Sequence, residues 1–251
     1  MKIRLVGKNL EDIRPLLALA DFAEAGEGET PELVVTHGGD GALLGAARDY
    51  PQLPILPVRD ARTAPLCPRH ECRIQLEAFR AGRTRLLPLP MISGAVRDVT
   101  LHALNDVFLH NMDRSSALRY RVRINGELYA NEVVGDGVGL SSVHGSTAYY
   151  RSITHSIFRV GLGLAFSNST EEVNHLVLNS TSRVEIEVVR GPGVLIADNS
   201  PEQIVLNEGE KVLLFESELQ ARIYGLANFM CPKCRLLRHP NKLPFRGFHL
   251  L

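Results

Sequence analysis

The sequence carries no net charge, its 28 Lys and Arg being matched by 28 Asp and Glu. No global field therefore draws the chain to nucleic acid or to an anionic membrane, and an anionic ligand has to be met by local groups. No apolar run approaches the ~20 residues of a transmembrane helix. Charges also arrive too early, at Lys8, Glu11, Asp12 and Arg14, for a signal peptide. These absences set the expectation of a cytoplasmic protein with neither a nucleic-acid nor a membrane partner. Only four cysteines occur, and in a reducing compartment they serve as thiols or metal ligands rather than as a disulfide framework. Familiar signatures are missing as well. Neither G-x-x-x-x-G-K-[ST] nor G-x-G-x-x-G stands between a strand and a helix, and H-E-x-x-H and G-x-S-x-G do not occur. The common phosphate cradles, zinc proteases of that type and serine hydrolases with a nucleophile elbow lose their support. No repeat period and no low-complexity linker interrupts the chain.

What is present is apolar material for one large core or two ordinary ones: 251 residues, 45% hydrophobic and 22% charged. The first half alternates short apolar strands (residues 3–6, 33–35, 53–58 and 84–89) with helical stretches (10–25, 42–47 and 72–79), which is α/β order. A first domain over residues 1–95 fits. Beyond it the texture changes to alternation: Tyr120, Val122 and Ile124 face one way and Arg119, Arg121 and Arg123 the other, ahead of the hairpin dipeptide Asn125-Gly126. Val184, Ile186 and Val188 repeat the pattern with Glu185 and Glu187 outside, so residues 96–226 read as a β-rich domain and the arginines as a solvated strand face. Residues 227–251 form a basic tail, expected to pack back on the first domain, with Lys233, Arg235, Arg238, Lys242 and Arg246 and no acidic residue.

Chemistry concentrates in three places. Residues 33–44 read as strand, glycine turn and helix, with Asp40 held among Gly38, Gly39 and Gly41. Glycines without Cβ let phosphate oxygens reach backbone N–H groups, and the helix offers its positive end to the same anion. A carboxylate there suits proton removal from an attacking hydroxyl, or a grip on Mg²⁺. It suits helix N-capping equally well. Asn105 and Asp106 stand side by side within an apolar strand. They read as a hydroxyl-binding pair, because an amide and a carboxylate together offer donors and acceptors, or as a strand-end turn. The third place is residues 135–150, where Gly135, Gly137, Gly139 and Gly145 alternate with Ser146, Thr147 and Tyr149. Such a loop suits a nucleotide, with hydroxyls for a base edge and a ring for packing.

Taken in order, Gly38-Gly39-Asp40-Gly41, Leu104-Asn105-Asp106, and Asp136-Gly137 leading to Gly145-Ser146-Thr147-Ala148-Tyr149 resemble the NAD kinase family. The likeness covers about residues 33–225. It implies a Rossmann-like α/β N-terminal domain with a parallel sheet, a β-sandwich-like C-terminal domain, NAD bound between them, and a homodimer or homotetramer. It also implies that Asp40 is catalytic, activating the 2′-hydroxyl of the adenosine ribose of NAD for attack on the γ-phosphate of ATP. Another phosphate donor is open, and Mg²⁺ or another divalent cation accompanies it. By the same likeness Gly38, Gly39 and Gly41 cradle the donor phosphates and Asn105 matches a family asparagine. Asp106 stands where the family more often has glutamate. Asp136 matches an aspartate at the nicotinamide end, Thr147, Ala148 and Tyr149 match residues around the adenine, and Ser146 and Ser152 join them as contacts.

The chain departs from the family pattern in two segments. Ser142-Val143-His144 replaces a threonine-proline pair followed by threonine or serine, which puts His144, a group titrating near pH ~6.5, at the adenine pocket. Residues 56–63 replace a glycine-rich segment and bring Arg59 and Arg62, which suit phosphate contacts. Two rival readings follow: a related kinase with a different hydroxyl acceptor, and a non-catalytic NAD(P)-binding protein that has lost its donor site.

The four cysteines fall in two close pairs, Cys67 with Cys72 and Cys231 with Cys234. That is the spacing of a split four-thiolate zinc site pinning the tail to the first domain. Buried or idle thiols with a merely solvated His70, or a disulfide between tail and domain, are the alternatives.

Overall fold

The computed structural model describes residues 1–63 and 65–238; Lys242 and Arg246 of the basic tail lie outside them. The chain forms two compact units, one of Met1–Pro88 together with the chain from Ala221, the other of Leu89–Gln220. Where the sequence suggested changes of domain near 95 and 226, the structure changes unit at 88/89 and 220/221.

The first unit opens with β1 (Lys2–Gly7), α1 (Leu10–Ile13), a 3-10 helix (Arg14–Ala20) and β2 (Ala23–Glu24). It continues with β3 (Leu33–Gly38), α2 (Asp40–Asp49), β4 (Ile55–Arg59), a 3-10 turn (Pro68–His70) and α3 (Cys72–Arg80). The strands run parallel in the order β2-β1-β3-β4. Every residue of β3 and β4 is buried, as expected of parallel strands covered on both faces. The helix anticipated over residues 10–25 is broken up. Pro15 has no N–H for an i→i−4 bond, so a 3-10 segment takes over, and Asp21 in the left-handed region at φ 55° ends it before β2. Ile3, Leu5, Ile13, Leu17, Phe22, Leu33, Val35, Leu56, Val58 and Leu76 make the core of this unit.

The second unit is built from β5 (Leu86–Val96), β6 (Val99–Ala103), β7 (Asp106–Asn111), β8 (Leu118–Ile124), β9 (Glu127–Gly135) and β10 (Gly137–Ser141). After α4 (Tyr149–Thr154) come β11 (Leu162–Ser167), β12 (His175–Leu178), β13 (Val184–Arg190), β14 (Gly193–Ala197), β15 (Gln203–Leu206) and β16 (Lys211–Tyr224). One antiparallel sheet runs β12-β11-β10-β7-β14-β15, and β16-β13-β8-β9 make the other layer. The anticipated alternation is the register seen: Val184 opposes Ile124, Ile186 opposes Val122 and Val188 opposes Tyr120. Their apolar faces meet Val107, Leu109, Val138, Leu140, Leu164, Phe166 and Leu195 of the other sheet in one core. The fold is thus an α/β unit with a parallel sheet plus a β-sandwich. On the outer face Arg119 pairs with Glu132 at 2.7 Å, Arg121 with Glu187 at 3.0 Å and Arg123 with Glu185 at 3.6 Å, a solvated charge ladder rather than an anion site. Asn125 and Gly126 turn the β8–β9 hairpin at φ 53° and 86°, the left-handed pair a type I′ turn requires.

β16 serves both units. Its start pairs with β13, Leu214 opposite Val184, and near its end Ile223 pairs in parallel with Ile55 of β4. The chain then adds α5 (Leu226–Phe229) and α6 (Pro232–Arg238) to the first unit. Among the described residues no helix is long and apolar enough to cross a membrane.

In β10, a Cβ on Gly139 would stand 2.3 Å from the Phe108 ring and 2.5 Å from the Val107 carbonyl oxygen. Gly139→Ala is expected to cost about 2 kcal/mol or more, because a packed core cannot yield that space. Gly26→Ala, where a Cβ meets its nearest atom at an ordinary 3.6 Å, should stay within about 0.5 kcal/mol of wild type. Urea denaturation of both variants checks the contrast.

Candidate active site

In the first unit the strand-turn-helix over 33–49 places Asp40 as the first residue of α2, with Gly39 as the N-cap residue and no side-chain capping bond. The capping role open to Asp40 in the sequence is therefore not the one it takes. Gly38 sits at φ 155°, and a Cβ there would lie 3.0 Å from that of Ala42, so the turn excludes larger residues. The Asp40 side chain is 67% exposed, and its Oδ1 accepts a hydrogen bond of 2.9 Å from Arg59.

Arg59 comes from the last position of β4, beside Gly38 in register. Its side chain is only 5% exposed. Its guanidinium donates from Nε at 3.1 Å and Nη2 at 3.0 Å to the carbonyl of Phe229 and lies 3.7 Å over the Phe229 ring. Burying a guanidinium demands such partners, and the carboxylate of Asp40 is one of them. The next residue, Asp60, is buried and accepts from the Asn9 side chain at 2.7 Å and from the Arg62 amide at 2.8 Å. Arg62 pairs with Glu11 and Asp12.

In the second unit Asp106 opens β7, and Asn105, expected within the strand, sits in the bend just before it. The carboxylate of Asp198 accepts the backbone amides of Leu104, Asn105 and Asp106 at 2.7, 2.8 and 3.0 Å. The third cluster folds onto the same place. The Ser142 hydroxyl donates to the Leu104 carbonyl at 2.6 Å, and the Ser142 amide to that of Asn105 at 2.8 Å. A Cβ on Gly145 would stand 2.2 Å from the Asn105 carbonyl oxygen, so glycine is what lets the two segments touch. Burial, with the Asp198 charge nearby, pushes the Asp106 carboxyl up to about 8, so at neutral pH it is a neutral acid able to donate a hydrogen bond.

His144 precedes the 3-10 turn Gly145–Thr147, and Ala148 follows it. The hydroxyls of Ser146, Thr147 and Ser152 turn back onto the carbonyls of Val143, His144 and Ala148, so they shape the loop itself. Tyr149 is 38% exposed and packs edge-on against Phe108 at 4.8 Å and tilted on His110 at 5.5 Å. Burial holds the His110 imidazole below its usual range although Asp136 works in the other direction. Asp136 itself accepts from the Asn168 side chain at 2.8 Å. It lies at the opposite end of the five-residue β10 from Ser141, the partner of Asp106, roughly 16 Å away along the strand.

The cysteines are arranged differently from the expectation. Cys67, His70, Cys231 and Cys234 bring their donor atoms within 4.8 Å of one another, and the anticipated Cys72 is not among them. Cys72 begins α3, its sulfur 3.6 Å from His37 Nε2 and 3.7 Å from the Arg59 carbonyl oxygen. Burial, aided by the Asp60 charge, raises its thiol above the usual range. All four cysteines are unpaired. Sequence reasoning also passed over Asp198, Asn168 and Phe229. Only Asp198 carried a local signal, the turn-forming run Asp198-Asn199-Ser200.

A parallel α/β unit with a carboxylate at a glycine-rich helix start, followed by a β-sandwich carrying the polar cluster of Asn105, Asp106 and Ser142, is an arrangement that suits a phosphotransferase with an alcohol acceptor. Relatives narrow this. The chain is 30% identical over 208 residues to an NAD kinase of Aquifex aeolicus, covering 77% of this chain and 76% of that one. Among solved structures, yeast NADH kinase complexed with NADH shares the fold at a TM-score of 0.73 and 17% identity, covering 90% of this chain and 83% of that one. An NAD kinase from Archaeoglobus fulgidus in complex with ATP does so at 0.74 and 16%, covering 91% and 96%. No family model matches the chain. The chain belongs to the NAD kinase family.

Asp106 supplies a pH test of the second unit. Its value of about 8 in the folded chain lies above the ordinary 3.8, so the native protein keeps a proton that the unfolded chain releases. Its contribution to stability is complete below pH ~4 and is lost as pH rises toward about 8. Between about pH 6 and pH 8 the ligand-free wild type should lose of order 2 kcal/mol that Asp106→Asn does not. Denaturant titrations of both proteins at the two pH values measure it.

Proposed function

We propose that this chain transfers the γ-phosphate of ATP to the 2′-hydroxyl of the adenosine ribose of NAD, giving NADP and ADP. The observation that carries the reading is Asp40: an exposed carboxylate at the first turn of α2, unused as a cap, with Oδ1 held by the buried Arg59. In this reading Oδ2 takes the proton of the attacking hydroxyl while the bond from the γ-phosphorus to the bridging oxygen breaks. Gly38, Gly39 and Gly41 admit phosphate oxygens to the positive end of α2. When bound with ATP, Mg²⁺ or another divalent cation neutralises the phosphate oxygens. Asp40, a hard oxygen donor facing solvent, fits such an ion.

On the acceptor side, Asn105 and the neutral carboxyl of Asp106 supply donors and acceptors for ribose hydroxyls. The half-exposed ring of Tyr149 offers a face to the adenine, with His144, Ser146, Thr147, Ala148 and Ser152 forming the surrounding loop. Asp136, at the other end of β10, serves the nicotinamide half. Four unpaired thiols suit a reducing compartment, and the reading keeps the cytoplasm as location. The homodimer or homotetramer rests on the family likeness.

The decisive assay is NADP formation by wild type and Asp40→Asn with NAD, Mg²⁺ and a panel of ATP, other triphosphates and polyphosphate. The expected result is turnover that the substitution lowers by about two orders of magnitude or more, about 3 kcal/mol of barrier, with the rise in Tm caused by NAD preserved. No product from any donor, while NAD still raises Tm, would overturn it in favour of a non-catalytic binding protein.

A further inference from the structure

The cluster of three thiols and one imidazole in the first unit has no part in the chemistry above, yet its construction is specific. Its donors come from two segments far apart in sequence: the 3-10 turn Pro68–His70 preceded by Cys67, and the start of α6 preceded by Cys231. Each segment contributes two donors three positions apart, Cys67 with His70 and Cys231 with Cys234. Cys67, His70 and Cys234 are at most 7% exposed and Cys231 is 9% exposed.

The spacings match a shared ion. Cys67 Sγ lies 3.0 Å from His70 Nδ1, His70 Nδ1 lies 3.2 Å from Cys234 Sγ, and the sulfurs of Cys234 and Cys67 are 3.6 Å apart. A tetrahedron with zinc–sulfur bonds of about 2.3 Å and a zinc–nitrogen bond of about 2.0 Å places sulfurs about 3.8 Å apart and sulfur and nitrogen about 3.5 Å apart. These three edges fall within about half an ångström of those lengths, and the Cys231 sulfur lies within 4.8 Å of the other three donors. The sulfurs are far beyond the ~2.05 Å of a disulfide.

The surroundings are those of metal-bound thiolates. The Cys67 amide donates to Cys234 Sγ at 3.3 Å, and Gln75 donates to the His70 backbone carbonyl at 2.7 Å. Such outer contacts orient ligands and stabilise the charge on sulfur.

We propose that Cys67, His70, Cys231 and Cys234 bind one zinc ion in a closed, tetrahedral structural site, and that this ion fastens the α5–α6 segment to the 3-10 turn ahead of α3. Soft thiolates with one imidazole select zinc over the hard cation that accompanies a triphosphate. Binding displaces the thiol protons to solvent and leaves no coordination position for substrate. Phe229, whose carbonyl and ring hold Arg59, lies two residues before Cys231, so the ion anchors the segment that supports Asp40's partner.

The test needs no turnover, so it stands or falls separately from the kinase reading. Full-length wild type and the variants are purified under reducing conditions, their zinc is counted by elemental analysis, and the stripped proteins are titrated with Co²⁺. The expected result is one zinc per chain in wild type and in Cys72→Ser, and near none in Cys67→Ser and Cys234→Ser. Cobalt should give the visible bands of a tetrahedral ion with sulfur charge transfer, stoichiometric with the chain. His70→Cys should keep the metal and raise the charge-transfer intensity by roughly one third, as a fourth thiolate joins three. Wild type that carries no zinc and shows no tetrahedral cobalt spectrum overturns the proposal. So does loss of metal in Cys72→Ser with full retention in His70→Ala.

Discussion

A guanidinium taken out of water has to be answered wherever it points, and in the first unit that requirement organises everything around Arg59. The side chain leaves the end of β4, enters the space below Phe229, and meets a carbonyl, a ring and a carboxylate there. The carboxylate is Asp40. Its orientation is thus a by-product of satisfying a buried cation, and it costs the outward-facing side of Asp40 nothing. Parallel strands make this possible. Gly38 and Arg59 are neighbours in register at the carboxyl ends of β3 and β4, the end of an open α/β sheet where ligands are generally received. The Asp60 amide adds a bond to the Gly38 carbonyl at 3.2 Å, tying the glycine turn to the segment that replaces the family's glycine-rich one.

The second unit solves a related problem with two aspartates. Asp198 is surrounded by amide donors; Asp106, buried beside it, has its carboxyl pushed up to about 8. In the proposed reading, the neutral acid of Asp106 is the donor offered to ribose hydroxyls. The loop from Ser141 to Thr147 closes on this arrangement through Ser142 and through the absence of a side chain at Gly145.

What could be read in the sequence was local. The Gly38–Gly41 turn announces itself through residues adjacent in the chain, and the strand faces at 119–124 and 184–188 through a period of two. The helix anticipated over 10–25 failed because apolar periodicity is blind to one missing N–H at Pro15. Arg59 could be singled out as a cation but not paired, since Phe229 is 170 residues away. Asp198 is likewise 94 residues from Leu104, and no composition signal spans such a gap. For the thiol cluster, counting cysteines selected Cys72, whereas the repeat of two donors three positions apart, Cys67 to His70 and Cys231 to Cys234, was in the sequence throughout.

The division of the chain has a consequence for its synthesis. The first unit begins at Met1 but receives β16, Phe229 and Cys231 only after the whole second unit has been made. A nascent chain that has emerged as far as Pro88 presents β4 as an open sheet edge and Arg59 without its carbonyl. Vectorial folding therefore runs against the order of the chain: the inserted sandwich holds all its own strands before the unit that precedes it does. Until the final strand arrives, the glycine turn with Asp40 stands on an unfinished sheet.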